Sequence, residues 1–170
     1  MSIVLFGMPL SGKTTMAKII SKKLSVKHID LDDQIENAYG DSTSNLFFDL
    51  GEKAFRSMEH NILEKIRSEK KCVLSLGGGA VNSLNIDIIS SYSIRVWLQC
   101  PLPVIAARYK KSEKDRPLLY NTNNLMRKLE KLYKARKSFF NNLSNIIVDT
   151  SIYGINRTSK EVMKKINEHN

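Results

Sequence analysis

Residues 7–14, GMPLSGKT, match the spacing G-x-x-x-x-G-K-[ST] of a phosphate-binding loop. In such a loop the backbone N–H groups converge on an anion, and the helix that begins at Lys13 adds the positive end of its dipole. Lys13 would reach the β- and γ-phosphates, and the Thr14 hydroxyl would ligate Mg²⁺. We therefore expect a nucleoside triphosphate to bind here, contacted by Gly7, Pro9, Leu10, Ser11, Gly12, Lys13, Thr14 and Thr15.

A pair of carboxylates, Asp30 and Asp32, follows the next strand-like run. Separated by one residue on an extended segment, they would point the same way and share a site beside the phosphate loop. One could hold Mg²⁺ through water, and the other could accept a proton from an attacking hydroxyl. The alternative is that Asp32 or Asp33 only caps the helix that begins there.

Three consecutive glycines, Gly77, Gly78 and Gly79, follow a third strand-like run. Without side chains they would let the backbone approach a ligand closely and offer N–H donors. A flexible turn would explain an isolated triplet equally well. Its position at the carboxyl end of a strand favours a role in ligand binding.

The elements that must position these groups alternate along the chain. Apolar or β-branched runs at 2–6, 26–29, 72–76, 94–98 and 145–148 are predicted strands. Predicted helices are the one after the phosphate loop and those at about 32–38, 44–49, 52–68, 83–89, 102–109, 122–142 and 156–168. This alternation predicts an α/β fold, with a parallel sheet covered on both faces and ligands at the carboxyl ends of its strands.

Composition predicts one domain, residues 1–170, because 42% hydrophobic residues can bury one core and no repeat suggests a second. No apolar run approaches the roughly 20 residues of a membrane span, and the short apolar start is interrupted by Gly7 and Pro9. We therefore expect a cytoplasmic protein without a membrane partner. Cys72 and Cys100 have no metal-binding spacing and are predicted to be buried thiols.

The net charge of +10 could indicate nucleic acid, an anionic membrane or phosphorylated and acidic ligands. Much of the excess lies in helical stretches at 110–114 and 127–137, without the aromatic residues that stack single strands. We expect most of these lysines to be solvated, and no nucleic acid partner.

Four motifs occur in order: Asp30-Leu31-Asp32, the segment 51–59 (GEKAFRSME), Gly77-Gly78-Gly79, and Arg116-Pro117-Leu118-Leu119. Together they resemble shikimate kinase, a family in the nucleoside-monophosphate-kinase-like (NMP-kinase-like) branch of the P-loop NTPases. The similarity runs from the first strand to at least Arg136. The combination of the G-E-x-x-F-R-x-x-E string with the glycine triplet separates this family from its adenylate-kinase relatives.

The resemblance implies a three-layer α/β/α sandwich with a five-stranded parallel sheet, a lid at about 110–123 and a shikimate-binding helical region at about 32–61. It implies that ATP phosphorylates the 3-hydroxyl of shikimate, in chorismate and aromatic amino-acid biosynthesis, with Mg²⁺ as cofactor. A monomer is the default for such a small kinase domain.

The resemblance also implies residue roles. Asp32 would hydrogen-bond the reacting hydroxyls as candidate base, Asp30 would hold the metal's outer shell, and Arg116 would close over the transferring phosphate. The remaining carried-over contacts are Arg56 and Arg136 on the substrate carboxylate, Gly77, Gly78 and Gly79 in the same pocket, and Arg108 on the adenine ring. Guanidinium groups suit a carboxylate because they pair two oxygens at once, and Glu59, three residues after Arg56 on a helix, can orient it.

The chain departs from the family pattern at two places. The family's loop commonly has a further glycine where this chain has Leu10, and leucine cannot take a left-handed backbone cheaply, so nucleotide affinity could be altered. The stretch 149–157 lacks the arginine-rich string often found beside the adenine ring, and the residue that flanks the base stays open.

Other functions remain to be weighed. A small-molecule kinase acting on gluconate or a nucleotide would use the same loop with another acceptor pocket. A regulatory P-loop switch would need a guanine-reading Asn-Lys-x-Asp string, and the sequence has none. A nucleic-acid-binding module would lose affinity steeply with salt, unlike a protein that binds only ATP and a small acid.

Overall fold

The central strand β1 (Ile3–Phe6) consists of four apolar residues, all fully buried. In this computed structural model, which describes residues 1–112, 117–120 and 123–169, β1 pairs in parallel with β3 (Cys72–Ser75) and β4 (Ile94–Gln99). The edge strands are β2 (Lys27–Asp30), beside β3, and β5 (Ile146–Asp149), beside β4. The order β2-β3-β1-β4-β5 confirms the predicted five-stranded parallel sheet, and each strand end lies within one residue of its predicted position.

Helices cover both faces of the sheet, as predicted. One face packs against α1 (Lys13–Leu24) and α7 (Ile155–His169). The other packs against α2 (Leu31–Tyr39), α3 (Thr43–Ile66), α4 (Ile86–Ser90), α5 (Leu102–Lys110) and α6 (Leu125–Leu143). Each face has its own apolar core, so the fold is a three-layer α/β/α sandwich. The described residues include no helix with both the length and the apolar character needed to cross a bilayer.

Helix α3 is bent at Gly51, whose φ of 80° and ψ of 162° are not helical. The two predicted helices at 44–49 and 52–68 therefore correspond to the two pieces of α3, which follow each other with no loop between them. The first piece carries Phe47, and the second carries Arg56 and Glu59. The bend lets both pieces contribute to one cavity, described below.

Two helix starts differ from the prediction by three residues. Helix α4 begins at Ile86 rather than 83, after a turn in which the Asn82 carboxamide accepts a hydrogen bond from the Leu84 N–H. Helix α6 begins at Leu125 rather than 122, because the Asn124 side chain accepts from the Arg127 N–H and so acts as the N-cap.

The predicted lid at 110–123 falls partly outside the described residues. Pro117–Leu119 form a short 3₁₀ turn, and Leu119 is buried in the core. Arg116 lies outside the described residues, so its predicted closure over the phosphate stays a prediction. Cys72 and Cys100 are free and buried, as predicted.

Candidate active site

The phosphate loop connects the end of β1 to the start of α1, as the motif predicts. Gly7 and Gly12 have φ values of 149° and 92°, and a Cβ on Gly7 would lie 2.5 Å from the Leu98 carbonyl oxygen. The buried Lys13 side chain folds back over the loop, where its amino group donates to the carbonyls of Gly7 at 3.2 Å and Met8 at 3.0 Å. Because the N-cap residue Gly12 has no side chain, the first N–H groups of α1 are left for an anion.

Leu10 adopts the left-handed conformation that glycine provides elsewhere, with a φ of 64°. Such a backbone costs a side-chain-bearing residue roughly 1–2 kcal/mol. Two contacts offset this cost: the half-buried Leu10 side chain packs against the core, and its carbonyl accepts a hydrogen bond of 2.9 Å from Arg108 Nη1. The chain therefore keeps the loop geometry without the glycine.

Asp30 is the hub of hydrogen bonds beside the loop. Its Oδ2 accepts from the hydroxyls of Thr14 and Ser75, both at 2.7 Å, and its Oδ1 accepts from the Asp32 N–H at 3.1 Å. Asp30 is thus the N-cap of α2, so the alternative that Asp32 or Asp33 is the cap is wrong. The assumed extended segment is also wrong, because Asp32 lies in the first turn of α2, where its backbone N–H is hydrogen-bonded to the Asp30 carboxylate.

These oxygen donors suit Mg²⁺. A small, hard cation prefers oxygen ligands and binds in kinases through one or two protein groups, with phosphate oxygens and water completing its shell. Thr14 Oγ1 and the Asp30 carboxylate already converge on one point at the rim of the phosphate loop. Across residues 1–112, 117–120 and 123–169 no group of three or more His, Cys, Asp or Glu residues surrounds a common point.

A cavity of about 490 Å³ extends from the loop along the carboxyl ends of the strands. Its volume is typical of pockets for ligands of nucleotide size. The loop residues Pro9, Leu10, Ser11, Gly12, Lys13, Thr14 and Thr15 line one side, and Arg108 with the segment after β5 lines the other. Arg108 ties the two sides together, because its guanidinium donates to the carbonyls of Leu10 and Thr150. We call this the nucleotide cavity.

The resemblance placed the stretch 149–157, which includes the segment after β5, beside the adenine ring but left open which residue flanks the base. Tyr153, Gly154, Ile155 and Thr158 line the nucleotide cavity, and the Arg157 guanidinium lies 4.0 Å from the centroid of the Tyr153 ring. None of the four was named as a site residue, although three of them lie in the stretch 149–157 and all follow the last strand, where ligands of such sheets bind.

A second, smaller cavity of about 80 Å³ lies next to the first, and we call it the acceptor cavity. Predicted residues on its wall are Asp32, Arg56, Gly77, Gly78 and Gly79. Further lining residues, which the sequence did not single out as site residues, are Thr43, Phe47, Phe55, Glu59, Pro117 and Leu118. Phe55, Glu59, Pro117 and Leu118 did occur in the motifs that carried the resemblance, but only Glu59 was given a role there, in orienting Arg56.

The glycine triplet makes room for three different side chains. A Cβ on Gly77 would lie 2.6 Å from Asp32 Oδ1, and one on Gly78 would lie 2.8 Å from Pro9 Cγ. A Cβ on Gly79 would collide with the Arg56 guanidinium. Since none of the three glycines has a positive φ, the backbone does not need them as a flexible turn. They are needed because other site residues occupy the space.

Arg56 and Glu59 form an ion pair of 2.8 Å at the edge of the acceptor cavity. The Arg56 side chain is 15% exposed and the Glu59 side chain 1%, as expected if Glu59 reaches back to orient Arg56. Burial raises the pKa of Glu59 to about 7, although the nearby Arg56 charge opposes the rise. A second, exposed carboxylate, Glu52, lies 3.2 Å from Arg56.

Arg136 is buried close to this pair but not on the cavity wall. Burial, followed by repulsion from Arg56, lowers the pKa of Arg136 to about 10, so the group stays charged at neutral pH. Its Nη1 is buried and has no hydrogen-bond partner among the residues that the structure describes. A buried guanidinium donor without a partner costs free energy that an anionic ligand would recover.

Three residues, Pro9, Asp32 and Gly78, line both cavities. The phosphate loop therefore lies on one side of Asp32, and the Arg56–Glu59 pair lies on the other. A carboxylate at this junction is positioned to act between a nucleotide and an acceptor molecule.

Comparison with known proteins agrees with this arrangement. The family model described as shikimate kinase matches residues 9–169. The shikimate kinase of Clostridium botulinum (strain 657 / Type Ba4) is 40% identical over 152 residues, 88% of each chain. The shikimate kinase of Sulfurihydrogenibium sp. (strain YO3AOP1) is 32% identical over 166 residues, 97% of each chain.

Solved structures show the same likeness. Shikimate kinase from Acinetobacter baumannii, in complex with shikimate, superposes with a TM-score of 0.92 at 28% identity, covering 99% of this chain and 94% of that one. Deoxyadenosine kinase from M. mycoides superposes with a TM-score of 0.63 at 17% identity, covering 99% of this chain and all of that one, and is similar in fold alone.

Proposed function

This chain belongs to the shikimate kinase family, and on that basis we propose that it transfers the γ-phosphoryl group of ATP to the 3-hydroxyl of shikimate, with Mg²⁺ as cofactor. The observation that carries the proposal is the meeting of two cavities at Asp32. One cavity is built for phosphate, and the other is bordered by the Arg56 guanidinium, with Arg136 buried close by. A kinase for a small acid needs both sites, with a proton acceptor between them.

Phosphate binding would rest on the loop. Its N–H groups and the start of α1 would cradle the phosphates, and Lys13 would leave the carbonyls of Gly7 and Met8 to reach the transferring group. Thr14 and Asp30 would hold Mg²⁺, which when bound neutralises charge on the phosphate oxygens. We also propose that Arg116 adds positive charge over the same group.

Asp32 would accept the proton of the attacking hydroxyl. It lies in the first turn of α2, and the Asp30 carboxylate fixes its backbone N–H. Because Gly77 has no Cβ, Asp32 Oδ1 has room at the cavity wall. Because the nucleotide cavity adjoins the same side chain, the proton acceptor and the phosphoryl group would face one hydroxyl.

Arg56 and Arg136 would bind the carboxylate of shikimate. Glu59 holds Arg56 in place, and the unpartnered Nη1 of Arg136 offers a second donor beside it. Charge-assisted hydrogen bonds from guanidinium groups are about twice as strong as neutral ones and match the plane of a carboxylate. The acceptor is therefore expected to be an acid.

ADP release with Mg²⁺-ATP tests this proposal, with shikimate, gluconate, nucleoside monophosphates or no acceptor. Stimulation by shikimate alone is the expected result, and it should disappear in Lys13→Ala, which excludes a contaminating kinase. Strong stimulation by gluconate or a nucleotide would instead assign the acceptor cavity to another small-molecule kinase. Addition of EDTA should abolish turnover, and excess Mg²⁺ should restore it.

A further inference from the structure

Two half-exposed aromatic side chains meet between α3 and the segment 117–120. Phe48 is 49% exposed and Tyr120 is 51% exposed, so neither belongs to the apolar core. Their ring centroids are 5.0 Å apart and the ring planes differ by 66°, an edge-to-face arrangement that aromatic pairs favour. The pair is therefore a specific contact at the surface.

This contact joins two walls of the acceptor cavity. Pro117 and Leu118, which lie shortly before Tyr120, line the cavity on one side. Phe47, the neighbour of Phe48, lines it on the other. A tie between Tyr120 and Phe48 therefore sets how closely the turn at 117–119 approaches α3.

The far side of the same segment is held by hydrogen bonds to two other helices. The Tyr109 hydroxyl, on α5, donates to the Leu119 carbonyl at 3.3 Å. The Lys128 amino group, on α6, donates to the Tyr120 carbonyl at 2.8 Å. These bonds fix the backbone of the segment, while the Tyr120 ring reaches across to α3.

From Phe48 the aromatic contacts continue inward to the acceptor site. Phe48 packs on Phe47 with centroids 6.1 Å apart, and Phe47 packs on Phe55 at 5.5 Å. The Arg56 guanidinium lies 5.9 Å from the Phe47 centroid and 5.4 Å from that of Phe55. Because packed side chains transmit small displacements, a shift of Tyr120 would reach the arginine proposed to bind the carboxylate.

We propose that Phe48 and Tyr120 form a clasp, called here the aromatic clasp, that positions the 117–119 turn over the acceptor cavity and thereby sets the affinity for the acceptor. The inference rests on the proposed function, since it takes the acceptor to be shikimate. Neither clasp residue lines the nucleotide cavity. The clasp should therefore act on acceptor binding and leave ATP binding unchanged.

The test is steady-state kinetics of Phe48→Ala, Tyr120→Ala and the double variant, with both substrates varied. We expect each single variant to raise the KM for shikimate about three- to tenfold, as for the loss of one aromatic pair, with kcat and the KM for ATP within about twofold of wild type. Since either substitution removes the same contact, the double variant should be scarcely worse than a single one. Tyr120→Phe keeps the ring and should behave as wild type.

Leu50→Ala is the matched control, because Leu50 is 52% exposed on the same piece of α3. An unchanged KM for shikimate in both clasp variants, or an equal rise in Leu50→Ala, would overturn the proposal. Additive effects in the double variant would overturn it too.

Unfolding without substrates separates this inference from the proposed function. Urea unfolding is measured on wild type, the two single variants and the double variant. The effect of either substitution on the unfolding constant should be about three- to tenfold larger in the wild-type background than in the other single variant. If shikimate does not stimulate ADP release by wild type, the substrate assignment fails, and the aromatic clasp is then judged by the coupling in urea unfolding alone. Absence of that coupling would overturn the clasp.

Discussion

The nucleotide cavity and the acceptor cavity are built by different means. The phosphate cradle of the nucleotide cavity comes from one contiguous segment, 7–14, in which backbone carbonyls of Gly7 and Met8 hold the Lys13 amino group. The acceptor cavity is assembled from α2, both pieces of α3, the glycine triplet and the 117–118 segment, and it depends on side chains. The phosphate cradle is therefore held by local chain geometry, and the acceptor cavity by contacts between distant parts of the chain.

This difference decides which changes each cavity tolerates. A backbone cradle survives an unusual side chain, as Leu10 shows by taking the conformation of a glycine. The acceptor cavity is sensitive to single atoms, because Gly79 has no space for a Cβ beside Arg56. Its charges are also closely balanced, since Glu59 is buried beside two guanidinium groups. Substitutions should therefore separate the two substrates.

Asp32→Asn should have the largest effect, because Asp32 lies where the two cavities meet. A neutral amide cannot take the proton, so we expect kcat to fall about 10²- to 10⁴-fold while the fold is kept. The exposed neighbour Asp33 provides the control, since Asp33→Asn should keep wild-type turnover. Circular dichroism and kcat measured on both variants check this. Near wild-type turnover of Asp32→Asn would leave Asp32 only a positioning role.

Gly79→Ala should damage acceptor binding alone. The added methyl group would displace the Arg56 guanidinium, so we expect the KM for shikimate to rise about 10- to 100-fold, the effect of losing a hydrogen bond to a charged group. A glycine of the other cavity is the control: a Cβ on Gly154 would have nothing within 4 Å, and Gly154→Ala should change neither KM. An equal rise in the KM for ATP in Gly79→Ala would contradict the separation of the two sites.

Arg136→Lys tests whether a buried guanidinium away from the cavity wall serves the acceptor. An ammonium group cannot pair both oxygens of a carboxylate, so we expect about tenfold weaker shikimate binding with little change for ATP. Arg127→Lys on the exposed side of the same helix, α6, should change neither. Isothermal titration with each ligand measures the difference. Equal losses for both ligands would refute the division of labour.

Glu59 should give acceptor binding a pH dependence that nucleotide binding lacks. Its pKa is raised to about 7 by burial, so acidification through neutral pH protonates it and removes the charged partner of Arg56. We expect the KM for shikimate to rise about threefold from pH 8 to pH 6. In Glu59→Gln this rise should be absent, and the KM should be high throughout. A wild-type profile in Glu59→Gln would contradict the assignment.

The raised pKa of Glu59 makes the fold more stable at low pH, the opposite of its effect on acceptor binding. A carboxyl group that binds its proton more tightly in the folded than in the unfolded chain contributes stability below its unfolded pKa of 4.5. That contribution is lost as the pH rises through the folded pKa of about 7. The unfolding free energy of wild type, measured relative to that of Glu59→Gln, should therefore decrease as the pH is raised from 4.5 to about 7. Urea unfolding at several pH values would show this decrease.

Features determined by contiguous residues were predicted from the sequence. The five strands and the phosphate loop were predicted correctly because a short apolar run marks each strand and a motif marks the loop. Fold class follows from their alternation, which needs no knowledge of distant contacts. The bend in α3 was anticipated as a break between two helices because a single glycine, Gly51, marks it.

Features that depend on distant partners were missed or misread. The role of Asp30 as helix cap, which the alternative interpretation gave to Asp32 or Asp33, depends on where β2 ends and α2 begins, and that boundary was misplaced by one residue. The spatial reason for the glycine triplet depends on Arg56, Pro9 and Asp32, which no local pattern connects to it. The apolar lining of the acceptor cavity was predicted only as a region and a motif, because Phe47 and Leu118 taken singly look like core residues.

Leu10 gives the smallest expected effect and the sharpest test of the backbone-built side. Leu10→Ala and Leu10→Gly both lose the packing of the leucine side chain, but only the alanine variant keeps the cost of a left-handed backbone. Leu10→Ala should therefore be less stable than Leu10→Gly by about 1 kcal/mol. Ser25, with a φ of 52° at the end of α1, is the control, and its alanine and glycine variants should differ equally.

Nucleotide binding should be nearly indifferent to the same substitutions. The Leu10 carbonyl, held by Arg108, stays in place in both variants, so we expect the KM for ATP to remain within about twofold of wild type. Urea unfolding and steady-state kinetics measure the two quantities on the same samples. A large change in the KM for ATP would mean that the side chain itself shapes the cradle, and the contrast between a backbone-built and a side-chain-built cavity would then fail at its best-defined point.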